Sequence, residues 1–222
     1  MPPLIIQTIS LALPFNLGSV NCYLINTGKD FVLIETGCAN QRRQLEDELA
    51  KAGCQPGMLT LIFLTHGDFD HTGNAAHLRV KFGAKIGMHA DDAGMAQHGN
   101  MFWNRKSGNA VAGLLAAALF RFGKASRFEP DLLFEDGDAL TAYGLTASVV
   151  TLPGHSKGSI GVLTADGELF CGDLFENPAQ PVLNSIIDDP ATAQASVEKL
   201  KGLAVQTVYP GHGKPFAFDS LT

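Results

Sequence analysis

The run Thr65-His66-Gly67-Asp68-Phe69-Asp70-His71-Thr72-Gly73 places the imidazoles of His66 and His71 and the carboxylates of Asp68 and Asp70 within six residues. Nitrogen and oxygen donors at that density repel one another or lose solvation unless a cation lies among them, and a divalent metal meets that need. The plain alternative is a polar loop that caps the next helix, with Asp70 or Thr72 at the N-cap. One histidine and one aspartate would fit that alternative. Four donors directly after an apolar strand fit it poorly.

Three later segments repeat the arrangement of an apolar strand running into a potential ligand. Val149-Val150-Thr151-Leu152-Pro153-Gly154-His155 is the first, and Glu168-Leu169-Phe170-Cys171-Gly172-Asp173 the second. Val205-Gln206-Thr207-Val208-Tyr209-Pro210-Gly211-His212-Gly213 is the third. In each, glycine directly precedes the candidate ligand, which lets the backbone turn tightly and approach other groups closely.

The elements that would carry these segments follow from residue pattern. Leu4–Leu13 reads as a first strand. Asn21–Thr27 and Phe31–Glu35 read as a hairpin turning at Gly28-Lys29-Asp30. Gln41–Ala52 is amphipathic, with Leu45 and Leu49 on one side. Leu59–Leu64 is apolar apart from Thr60, as in a strand buried on both faces. It opens into the His66 run, the place where layered α/β proteins put their sites. Helices are expected over Asn74–Phe82, Asp91–Gln97, Ala110–Phe122 and Ala191–Leu200. Further strands are expected over Ala84–Met88, Ala147–Leu152, Ser159–Thr164, Glu168–Cys171 and Val205–Tyr209. No linker or charge block divides the chain. The order strands, helices, strands, helices predicts two similar αβ halves packed sheet to sheet.

These motifs, in this order, resemble the metallo-β-lactamase superfamily, which includes glyoxalase II-like thioesterases and lactonases. The resemblance runs from the Asn21–Gly37 hairpin, with its Leu33-Ile34-Glu35-Thr36-Gly37 end, to His212. It implies an α/β fold, an αββα sandwich of two mixed sheets packed face to face with helices outside, as one domain over residues 1–222. It implies two divalent metals, zinc first, with iron or manganese as alternatives. By resemblance, His66 and His155 bind the first metal, Asp70, His71 and His212 the second, and Asp173 bridges both. Asp68 stands where the family pattern has a second histidine. Its Oδ and a histidine Nδ1 are both attached to Cγ, so it is expected to remain a ligand, harder and more negative, favouring iron or manganese more than histidine does. The other reading leaves the first site weak or vacant. Glu35, where the family more often has Asp, is expected to support the site.

The expected activity is hydrolysis of an ester, thioester or lactone by a metal-activated hydroxide, with Asp70 as catalytic residue orienting the nucleophile. An iron-dependent oxidoreductase of the same fold and a non-catalytic metal-binding protein are the alternatives. No G-x-S-x-G elbow supports a covalent route. Apolar residues between Asp92 and Pro130, among them Met95, Met101, Phe102 and Trp103, either cover the metals or pack a helix. Arg105, Lys106, Lys124 and Lys157 are candidates for holding an anionic group. His77 and His98 carry no motif, His98 is expected in a loop, and His89 could stand behind the ligands.

The net charge of −6 argues against nucleic acid or an anionic membrane as partner. The apolar run Ala110–Phe120 is too short to span a bilayer. Cys22, Cys38, Cys54 and Cys171 form no C-x-x-C pair, and Met1–Phe15 holds no Lys or Arg. A cytoplasmic protein is expected, acting on a small molecule as monomer or homodimer.

Overall fold

The structure, a computed structural model, describes residues 4–105 and 123–221. The expected helix Ala110–Phe122 lies outside the described residues. The first sheet has six strands in spatial and chain order: β1 (Ile5–Ala12), β2 (Ser19–Asn26), β3 (Phe31–Ile34), β4 (Leu59–Phe63), β5 (Lys85–Met88) and β6 (Leu132–Leu133). β1, β2 and β3 pair antiparallel, and β3 through β6 pair parallel. The second sheet holds β7 (Ala147–Thr151), β8 (Ile160–Thr164), β9 (Glu168–Asn177), β10 (Val182–Leu183), β11 (Thr207–Gly213) and β12 (Phe216–Ala217). Its order is β12-β11-β9-β8-β7, with β10 added to β9.

Alternation along the strands decides the layering. On β3, Phe31 and Leu33 face outward onto α1 (Arg42–Lys51) and α3 (Ala75–Phe82), while Val32 and Ile34 face the second sheet. β4 divides likewise, with Ile62 outward and Leu61 and Phe63 inward. Tyr23, Phe63, Val149, Ile160 and Phe170 fill the space between the sheets. On the far side, Val150, Leu169 and Cys171 pack with Ala193 and Leu200 of α5 (Pro190–Lys201). The layers are therefore helix, sheet, sheet, helix, as expected. Leu45 and Leu49 are fully buried on α1. Truncating either to alanine costs about 2–5 kcal/mol.

Three expectations are corrected. The His66 run is only in part a loop: Phe69–Thr72 forms a single helical turn, α2, with Asp68 at its N-cap but making no side-chain cap. His98 is not in a loop but ends helix α4 (Ala90–His98), which stops at Gly99 with φ 63°. Asp173 and His212 do not end their strands, because β9 and β11 continue as a parallel pair to Asn177 and Gly213. Register shifts at Tyr209/Pro210 and Pro210/His212 accommodate the proline, which lacks a ladder N–H, and re-aim the residues after it.

Candidate metal centre

The two sheets are stitched together where the candidate ligands lie. Ile160 N, at the start of β8, donates to Thr65 O at the end of β4 (2.9 Å). From β2, Asn21 Nδ2 donates to Pro210 O and Gly213 O, and Tyr23 OH to Pro210 O (2.5 Å). These bonds fix β11, and with it His212, against the first sheet.

All seven residues expected from sequence converge. Around His71, Nε2 lies 3.7 Å from Asp70 Oδ2 and 3.5 Å from Asp173 Oδ1, and His212 Nε2 lies 3.5 Å from Asp70 Oδ2 and 3.2 Å from Asp173 Oδ2. Around His155, Nε2 lies 3.1 Å from Asp68 Oδ2 and 4.0 Å from Asp173 Oδ2, while His66 Nε2 lies 3.6 Å from Asp68 Oδ2. Donors about 2.1 Å from a tetrahedral metal are about 3.4 Å apart, close to these separations. Asp173 turns one oxygen to His71 and the other to His212 and His155, the posture of a bridging carboxylate.

The donor atoms fit a cation. Nε2 of His66, Nε2 of His71 and Oδ1 of Asp173 are buried and lack a hydrogen-bond partner. Most buried polar atoms in folded proteins are paired, and the orphans here include Oδ1 of Asp68 and Nδ1 of His71 as well. Two outer nitrogens are held from behind: His212 Nδ1 meets Ser19 O at 2.8 Å and His155 Nδ1 meets Ile186 O at 2.6 Å, while His71 Nδ1 lies 3.5 Å from Glu35 Oε1 without a hydrogen bond. A carbonyl can only accept, so His155 and His212 carry hydrogen on Nδ1 and turn Nε2 inward. Glu35 Oε1 also accepts from Thr65 N and Thr65 Oγ1, and Glu35 groups with His66 and His71 as a further set of possible metal donors. Its backbone sits at φ 64°.

Charge follows from this crowding. Burial opposes protonation of His212, but the charge and hydrogen bond of Asp173 outweigh it, and its pKa rises to about 9. His71 is raised the same way, against its burial, by Asp173, Asp70 and Glu35. Burial would raise Asp68, yet Arg105, then His155 and His66, hold it well below the usual carboxylate range. His212 and His71, with His155, do the same for Asp173 against its burial.

Glycine matters at two of the ligands. Gly172, before Asp173, has φ 52°, and a Cβ there would run into Thr65 Oγ1. A Cβ on Gly211, before His212, would collide with Asp173 Oδ1 and come within 2.8 Å of His71 Cε1.

Other histidines stay outside. His77 meets Glu46 at 2.6 Å on the surface, His89 caps α4 by accepting from Asp91 N, and His98 stacks on Trp103 at 3.7 Å between centroids. Cys171 is a buried strand residue. Lys157 pairs with Asp91 at the surface.

Two residues lay beyond reach of the sequence reading. Arg105 was one of four undistinguished basic residues, yet its guanidinium enters the cluster, with Nη2 3.0 Å from Asp68 Oδ1 and 3.1 Å from His155 Nε2. Asp92, in the first turn of α4, belongs to no motif. It is fully buried and accepts from Gly67 N, Ser156 Oγ and Gly158 N, binding the His66 loop to the His155 loop. No local pattern could have signalled either, because their partners lie 25 or more residues away.

Among the described residues, no helix is long and apolar enough to cross a membrane. The pattern of the metallo-beta-lactamase superfamily matches residues 15–212. Acyl-coenzyme A thioesterase MBLAC2 of Bos taurus is 26% identical over 219 residues, covering 90% of this chain and 75% of that protein. Atrochrysone carboxyl ACP thioesterase of Aspergillus fumigatus is 25% identical over 202 residues, covering 89% of this chain and 51% of that protein. The crystal structure of TTHA1623, in a di-iron-bound form, matches with a TM-score of 0.72 at 25% identity, covering 96% of this chain and 95% of that one.

Proposed function

The chain belongs to the metallo-beta-lactamase superfamily, and from that premise we propose that it hydrolyses an acyl thioester, ester or lactone at a metal held by Asp70, His71, Asp173 and His212. The observation that carries this reading is the convergence of His71 Nε2 and Asp173 Oδ1, both buried and unpartnered, with His212 Nε2 and Asp70 Oδ2 around one point. Thioesters are named first because two relatives are named as thioesterases.

A divalent metal bound there lowers the pKa of a coordinated water and polarises a carbonyl. The chain's own groups do the rest. Asp70 lies on the open side of the cluster, its side chain 12% exposed against 0% for His71. It is placed to accept a hydrogen bond from an attacking water and fix its direction. Asp173 keeps His71 and His212 turned inward. A cleft of about 260 Å³ opens beside the His155 loop, bordered by Arg105, Gly154, Ser156 and Asp188.

The test is metal analysis of protein purified without added metal, followed by assay against a panel of acyl-coenzyme A thioesters, aryl esters and lactones, with His71→Ala as control. We expect turnover that depends on His71. Iron content with consumption of O₂ and no hydrolysis would overturn the reading in favour of an oxidoreductase, and no His71-dependent turnover would leave a binding protein.

A further inference from the structure

We infer that the guanidinium of Arg105 takes the place of the first metal, so that the chain binds a single tight metal, at the Asp70–His71–Asp173–His212 cluster. This rests on the metal-centre reading above and departs from the two metals that the motif implies.

The argument begins with Asp68. Aspartate in place of histidine adds a negative charge to a site with almost no solvent: Asp68 is 4% exposed. A buried carboxylate needs a cation or a full set of donors. Arg105 supplies the cation. Its Nη2 lies 3.0 Å from Asp68 Oδ1 and 3.1 Å from Asp68 Oδ2, and its side chain is only 5% exposed. The same nitrogen lies 3.1 Å from His155 Nε2. Because His155 Nδ1 is engaged by Ile186 O, Nε2 is the one ring atom left for the site, and it lies 3.1 Å from both Arg105 Nη2 and Asp68 Oδ2. Asp68 and His155 are thus both engaged by one guanidinium nitrogen, which leaves His66 and Asp173 as the remaining donors of the first position.

Arg105 is anchored from its other side too, with Nε 3.1 Å from Asp188 Oδ2. The guanidinium bridges two carboxylates, in the planar, always charged form that suits a buried pair. A divalent ion seated among His66, Asp68 and His155 would lie against this fixed cation and compete for the same oxygen and nitrogen atoms. Displacing Arg105 would strand Asp188 and leave a buried arginine without its partner. At the second cluster, by contrast, the described residues bring no Lys or Arg nitrogen within ion-pair distance of Asp70, His71, Asp173 or His212. The two clusters therefore differ in what already fills them.

The experiment is stoichiometric titration of the full chain, stripped of metal, with Co²⁺ and separately with Zn²⁺. It is read by visible absorption, by calorimetry and by metal content after desalting. The wild type should take one tight equivalent, with any second at least about 100-fold weaker. Arg105→Met should take two tight equivalents, and Arg105→Lys, which keeps a cation, should stay at one. Arg105→Met strands Asp68, so the double variant Asp68→His with Arg105→Met serves where the single one fails to fold, and it too should bind two. Two tight equivalents in the wild type, or one in both Met variants, would overturn the inference. A wild type that binds no metal at all would sink the metal-centre reading itself, an outcome distinct from either.

Discussion

Asp92→Asn tests how the site is assembled. The Asp92 carboxylate has no solvent exposure; Oδ2 accepts from Gly67 N at 3.1 Å and Ser156 Oγ at 2.6 Å, and Oδ1 from Gly158 N at 2.9 Å. Gly67 follows His66, while Ser156 and Gly158 follow His155, so one side chain straps together loops from the two halves. In the asparagine, whichever position becomes the amide nitrogen faces a backbone N–H. One buried donor is orphaned, costing about 1–3 kcal/mol, and the surviving bonds lose their charge assistance, about 1 kcal/mol more. The sum is about 2–4 kcal/mol. In a chain of this size each kcal/mol lowers Tm by about 2–4 °C, so the Tm should fall by about 10 °C. Thermal melts followed by circular dichroism, with chelator in every sample, read the fold without the metal's contribution. Asp92→Ala, which orphans both backbone donors and opens a cavity, should fall further. A Tm for Asp92→Asn within about 2 °C of wild type would refute the reasoning, since it would mean that these donors never depended on the carboxylate.

Three further outcomes follow from the geometry. Glu35→Gln, which weakens the support behind His71 Nδ1, should reduce metal affinity about 10- to 100-fold, and His71→Ala should reduce it more; the reverse order in a metal-competition assay would make Glu35 the ligand. Gly211→Ala should weaken metal binding with little change in secondary structure, because its Cβ displaces Asp173 and His71; unchanged affinity would show that β11 can shift without cost. For the metal-free chain, His212 is raised from 6.5 to about 9. Its protonation thus stabilises the fold fully below pH 6.5, and that contribution is lost as pH rises through about 9. Asp68 and Asp173 are depressed below 3.8, and their contribution is lost as pH falls below that value. The stripped protein should accordingly be most stable near pH 5–6, and metal loading at pH 7 should release at least one proton. Calorimetry in buffers of different ionisation enthalpy checks the release; no buffer dependence would mean that His212 is neutral before the metal arrives.

By itself the sequence determined the types of the candidate ligands and the strands that lead into them. His66 and Asp68 lie on the loop after β4, and Asp70 and His71 on the helical turn that follows, so their spacing is a local property readable from the residues in order. The pleat of a strand, also local, puts Val32 and Ile34 on the face opposite Phe31 and Leu33, and with all four apolar the strand is buried on both faces. The tertiary structure decided what local order does not encode. β9 and β11 extend past Cys171 and Tyr209 because each completes the other's hydrogen bonds, which neither stretch reveals alone. Asp92 became a strap only when folding brought Gly67 and Gly158 to its two oxygens. Asp68 looked from its spacing like a ligand with an altered side chain. Arg105, 37 residues further on, makes it the partner of a buried guanidinium. A buried charge takes its role from the nearest opposite charge, and nearness across that separation is set by the fold.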